Sequence, residues 1–91
     1  MTSFFTEFVH TDNGVTCSES RFRDLLTAQE CSGAVSYAKS FNGEANYVWE
    51  VSSGSRPRGC FISLWGKMYF NTHSTGGVDY SATSICRKGN K

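Results

Sequence analysis

The chain has 91 residues, the length of one domain, and a domain this small removes only about two-thirds or less of its unfolded surface from water. Nine Lys and Arg nearly balance eight Asp and Glu for a net charge of +1, so no global field steers nucleic acid and no nucleic-acid partner is expected. No stretch approaches the roughly 20 apolar residues of a spanning helix, so no membrane span is expected either.

The opening MTSFFTEFVH lacks the apolar run of a secretory leader and carries Glu7 and His10 early, so any leader is expected to have been removed. Phe4, Thr6 and Phe8 alternate ahead of Thr11-Asp12-Asn13-Gly14. Asn-Gly is a strong hairpin signal because both residues tolerate positive φ, which predicts pairing of residues 4–9 with 15–17. From Ser18 to Leu26 the pattern blurs, and Phe22, Leu25 and Leu26 fit a helical turn or an irregular segment lying on the core.

Thr27-x-x-Glu30 then reads as a capping box, in which the hydroxyl takes the Glu30 amide and the carboxylate reaches back to the Thr27 amide. Beyond it Ala28, Cys31, Ala34, Val35 and Ala38 share one helical face, and Phe41-Asn42-Gly43 supplies a C-cap. One helix over about 28–41 is predicted, its small residues letting it lie close to a sheet. Tyr47, Trp49 and Val51 alternate with Val48 and Glu50 as a strand, and residues 52–58 form a Ser- and Gly-rich loop. Arg58 to Gly77 reads as a central hairpin: an alternating run after Cys60, a break at Trp65-Gly66-Lys67, Met68-Tyr69-Phe70, and a polar loop. Val78–Ser81 is expected as a short edge strand, after which Ile85-Cys86 brings the last cysteine to the core.

Cys17, Cys31, Cys60 and Cys86 make an even count in a short chain, and no C-x-x-C or C-x-H spacing occurs, so two disulfides are expected and no metal. Three connectivities are open. Cys31 with Cys60 would staple helix to sheet, and Cys17 with Cys86 would tie both ends of the chain to its body. The expected architecture is α+β: one helix on a small antiparallel sheet, disulfide-stapled, in a single domain spanning residues 1–91. Disulfides point to a secreted protein or an oxidising organelle or secretory lumen.

The order Cys17, Thr27-to-Cys31, Arg58-Gly59-Cys60-Phe61, Met68-Tyr69-Phe70-Asn71-Thr72-His73-Ser74-Thr75-Gly76 and Ile85-Cys86 resembles a small cysteine-rich module of microalgal and other protist proteins. That module reads Gly-Cys-aromatic, then Val-Tyr-Phe/Trp-Asn with His and Thr-Gly close behind, and a closing Ile-Cys. Its biochemical activity is unsettled, so the resemblance implies the fold and an extracytoplasmic setting. A looser similarity links the Thr-x-x-Glu-Cys helix to apple-type (PAN) domains, whose helix carries an additional cysteine absent here.

The residues favour a non-catalytic binding or assembly module, a peripheral subunit or interaction domain without cofactor, whose partner is a protein or larger assembly. A glycan is the alternative ligand. Thirteen aromatic residues carry this reading, because rings on an open sheet face stack on sugars or fill a partner's pocket. Trp65, at the hairpin tip, is the leading contact residue, with Lys67, Asn71, His73 and Thr75 beside it. A second alternative is a small secreted hydrolase or ribonuclease in which His73 acts with Glu50 or Arg56. It competes with the plainer reading of Asn71, Ser74 and Thr75 as turn formers around a surface histidine.

Overall fold

A computed structural model describes residues 7–88. In chain order these form β1 (Phe8–His10), a 3-10 turn at Ser18–Ser20, β2 (Arg23–Asp24), α1 (Ala28–Gly33), α2 (Val35–Lys39), β3 (Val48–Val51), β4 (Gly59–Ser63), β5 (Met68–Asn71) and β6 (Ala82–Arg87). The strands make one sheet ordered β1-β6-β4-β5-β3, and β2 joins β6 at Cys86 and Arg87, just beyond the point where β4 leaves it.

The expected α+β, disulfide-stapled class holds, with both anticipated links present: Cys17 to Cys86 and Cys31 to Cys60. The sheet, however, is mixed rather than wholly antiparallel. β3 and β4 are separated by β5, and because β5 returns antiparallel to β4, β3 runs parallel to β5 with Trp49 opposite Tyr69.

Alternation along the central strands gives the sheet two unlike faces. Cys60 and Ile62 of β4, Met68 and Phe70 of β5 and Ile85 of β6 point to the helices, where they meet Cys31, Ala34 and Ala38 with Phe8 and Leu25 at the margin. The small residues let the helical backbone approach closely, but each buries little apolar area. The Cys31–Cys60 bond sits within this contact.

The capping box forms as expected: the Glu30 amide donates to Thr27 Oγ1 at 3.0 Å, and the Thr27 and Leu26 amides donate to Glu30 Oε1 at 3.2 and 2.7 Å. The single helix expected over 28–41 is instead broken at Ala34 (φ −91°, ψ 0°) into two short ones. The preceding Ser32-Gly33 pair weakens a helix interior and is a recognised kink site. Gly43 is not the C-cap either; α2 ends at Lys39, and the Phe41 and Asn42 amides close onto the Ala38 carbonyl.

The first hairpin does not form. Asn13-Gly14 does turn, with Gly14 at φ +80°, but the Gly14 amide donates to Ala82 and β1 pairs with β6 rather than with residues 15–17. Residues 4–6 of the expected strand lie outside those described. Likewise 78–81 is no edge strand: Asp79–Ala82 is a turn feeding β6, which lies inside the sheet between β1 and β4.

Glu30 Oε2 also receives Arg87 Nη2 at 3.0 Å, joining α1 to β6. Hydrogen bonding from the Leu26 amide is the largest influence on its carboxyl; burial opposes it, while Arg87 and the Thr27 amide add to it, and the net effect lowers its pKa. A lowered folded-state value means stability that is present above the ordinary carboxylate range and lost as pH falls through the lowered value. Glu30→Ala is therefore expected to cost about 1 kcal/mol near neutral pH, the usual scale of a lost cap, and the gap to the parent should narrow toward pH 3 in denaturant titrations. A gap that stays constant with pH would contradict this account.

Candidate functional site

The face away from the helices carries the rings. Phe61 of β4 lies opposite Tyr69 of β5, which lies opposite Trp49 of β3, so the register alone places three aromatic side chains in line across three strands. Tyr47, just before β3, extends the line: centroids are 5.2 Å apart for Phe61 and Tyr69, 5.9 Å for Tyr69 and Trp49, and 4.8 Å for Trp49 and Tyr47. Phe61 is buried at one end, whereas Tyr47 and Trp49 at the other are 59% and 44% exposed.

Three connecting segments raise walls above this floor. The β4–β5 turn closes with the Gly66 amide on the Ser63 carbonyl (3.0 Å) and the Ser63 amide on the Lys67 carbonyl (2.9 Å), with Gly66 at φ +87°. A side chain at Gly66 would run into Glu44, so glycine is required both by conformation and by space. The turn projects Trp65 outward at 73% exposure, as its hairpin-tip position predicts. The Leu64 amide donates to Ser81 at 3.0 Å and draws the 79–81 turn against the hairpin tip. Arg56, from the 52–58 loop, lays its guanidinium carbon 5.2 Å from the centre of the Tyr69 ring, and Lys67 Nζ lies 5.9 Å from that of Trp49.

These parts enclose an open groove of about 450 Å³, to which the strands contribute Phe61 and Tyr69, the hairpin turn Ser63, Trp65 and Lys67, and the loops Arg56, Asp79 and Ser81. Its volume falls in the usual range for a small-molecule site. Asp79 Oδ1 accepts from Ser81 Oγ at 2.6 Å and from the Ser81 amide at 2.9 Å. Those bonds, the side-chain one first, hold its carboxyl below the usual range against a smaller effect of burial, and Arg56 adds to the lowering. Asp79 is therefore anionic at neutral pH.

The five expected contact residues divide. Trp65 and Lys67 meet in the groove. Asn71, at 1% exposure, faces inward and fixes the loops. Its Oδ1 accepts from the Ser53 and His73 amides at 3.0 and 3.1 Å, and its Nδ2 faces the carbonyls of Ser53, Arg56 and Pro57 at 2.9, 3.0 and 2.9 Å. His73 and Thr75 lie in the following loop, where the Gly76 and Thr75 amides donate to His73 Nδ1 at 2.9 and 3.3 Å. With Nδ1 so used, the imidazole organises its own loop. Neither Glu50 nor Arg56 is among its hydrogen-bond partners.

His73 faces a separate depression of about 290 Å³ that also includes Arg58 and Leu26. Beyond Arg58 lies a larger one of about 530 Å³ with Arg23, Asp24, Glu30 and Arg87 on its walls. Its charges are largely spent on one another: Arg87 bridges Glu7 at 2.8 Å and Glu30 at 3.0 Å, and Arg58 stands 4.0 Å from Asp24. Burial raises the Asp24 carboxyl, with Arg58 pulling the other way. All four cysteines are joined in pairs, which leaves no thiolate as nucleophile or metal ligand.

Sequence patterning identifies the rings but not Arg56, Asp79 or Ser81 as their companions. They arrive through the pairing of β4 with β6 and through Asn71, contacts between segments far apart in the chain. The chain matches no protein-family model, no curated protein and no solved structure.

Proposed function

We propose that the chain is a non-catalytic binding module of an oxidising, extracytoplasmic compartment, and that its ligand is a carbohydrate held in the groove between Trp65 and Arg56. The observation that carries the reading is the combination of a ring-lined floor with hydrogen-bonding walls. Sugars present an apolar C–H face to a ring and hydroxyls to the side, and Tyr69 and Trp65 supply the rings while Ser63, Ser81, Asp79, Arg56 and Lys67 supply the polar partners. Support for a non-catalytic role comes from the occupation of His73 Nδ1 by loop amides. Support for the compartment comes from the two disulfides; among the described residues no helix is long and apolar enough to cross a membrane.

A second reading, a protein partner or a place as a peripheral subunit of a larger assembly, is favoured by a different observation. Leu64, Trp65 and Tyr80 are 57%, 73% and 81% exposed, and large apolar side chains at that exposure suit the centre of a protein interface.

Both tryptophans, Trp49 and Trp65, lie on this face, so intrinsic fluorescence reports on the proposed site. Titration with an array of neutral and acidic oligosaccharides is expected to shift the emission saturably. Trp65→Ala is expected to weaken binding at least about tenfold, the scale of losing one stacked ring together with its buried area. Silence across the array would remove the carbohydrate reading, and retention of a protein from native extract by the parent chain but not by Trp65→Ala would then favour the second.

A further inference from the structure

Building on the carbohydrate reading, we propose that the groove is selective for acidic sugars, with Arg56 and Lys67 receiving the carboxylate of a uronate residue stacked on the ring floor. Arg56 and Lys67 both line the groove, Arg56 over its Tyr69 ring and Lys67 near Trp49, the next ring of the same row. Among the described residues neither forms an ion pair; the salt bridges there involve Arg58 and Arg87. A cation that stands beside a ring and is held in no salt bridge gains most from an incoming carboxylate, because charge-assisted hydrogen bonds exceed neutral ones in strength.

The one opposing charge in the groove is Asp79. Its Oδ1 is engaged by two hydrogen bonds from Ser81, which fixes the carboxylate in the 79–81 turn and leaves two cations against one anion. A fixed acid on the rim suits a sugar for a second reason: it accepts from a hydroxyl while the cations take the carboxylate. A neutral sugar would satisfy the ring floor and Asp79 but offer the two cations only uncharged acceptors.

The placement of the cations in a single groove argues for one acidic ring rather than a broad anionic surface. They stand beside neighbouring rings of the same row, Tyr69 and Trp49. The net charge of the whole chain, +1, gives no wider basic surface to hold a polyanion by charge alone.

De-esterified oligogalacturonate and its fully methyl-esterified form share rings and linkage and differ in charge, so titrating the full chain with both by tryptophan fluorescence and calorimetry isolates the proposed contact. The de-esterified form is expected to bind at least about tenfold more tightly, with an affinity that falls as salt is added. Arg56→Gln and Lys67→Gln are each expected to remove most of that preference, weakening the de-esterified form by more than the esterified one. Lys39→Gln, at an exposed position of α2 beyond the other face of the sheet, is expected to change nothing. Equal binding of the two forms, or binding of neutral sugars alone, would overturn the acidic preference and leave the carbohydrate reading standing. If no sugar of either kind binds, both fall.

Discussion

Breaking either disulfide by paired Cys→Ala replacement is expected to cost more than most other small changes to this domain, and reducing both is expected to unfold it at room temperature. The Cys17–Cys86 bond closes a sequence separation of 69 and Cys31–Cys60 one of 29. In the chain-entropy account these correspond to about 4.4 and about 3.6 kcal/mol, taken from the freedom each link removes from the unfolded chain. A domain of this length holds roughly 5 to 14 kcal/mol in all, so losing both removes most of what keeps it folded. Structure sharpens the expectation for Cys31–Cys60. The helices run six and five residues, too short to persist alone, and they bury mainly Cys31, Ala34 and Ala38 against the sheet. Urea titrations of the two double variants should show midpoints shifted in that proportion. Far-ultraviolet circular dichroism should show helical signal lost first in Cys31→Ala/Cys60→Ala. Midpoints that move by less than a third of these amounts would mean that packing, not cross-linking, holds the fold.

What could be read from the sequence was mostly what lies within a few residues of itself. The Thr27–Glu30 box, the β4–β5 hairpin and its exposed tip depend on neighbours no more than about a dozen positions away, and all three are found where expected. The cysteine pairing was also legible, because a helix face and a hairpin each aimed one sulfur at the same interior. The failures in strand pairing share a cause. Asn13-Gly14 specifies a turn but not which strand will lie beside it, and β1 found its partner in β6 at the far end of the chain. The direction of β3 was equally hidden, since it follows from β5 being inserted between β3 and β4.

The candidate site divides along the same line. One ring on each of β3, β4 and β5, namely Trp49, Phe61 and Tyr69, marked a face, and Trp65 marked its edge. That Arg56, Asp79 and Ser81 close over those rings depends on one loop being held by Asn71 and another by the β6 register. An asparagine after Phe70 and before a polar loop looks the same in sequence whether it meets water or a second loop.

Asn71 consequently carries the other large expected effect. Removing its side chain, as in Asn71→Ala, withdraws the shared partner of two amides and three carbonyls at a buried position. Some of those groups keep another bond, as Arg56 does through the Gly77 amide at 2.7 Å, and others can reach water at the loop surface. The net cost is expected to be about 3 kcal/mol, the sum of lost hydrogen bonds and of backbone groups left unmatched. Asn71→Asp is expected to be worse despite its near-identical shape, since it turns a carboxylate oxygen toward carbonyls that now meet a donor. That variant should recover stability as the pH is lowered and the acid protonates, which alanine cannot do. Because the Asn71 amide group holds the Arg56 carbonyl, the same variants are expected to loosen Arg56 above Tyr69 and to weaken acidic-sugar binding even where the chain remains folded. Stability and sugar affinity both unchanged in Asn71→Ala would refute the view that this one buried amide sets the loops over the groove.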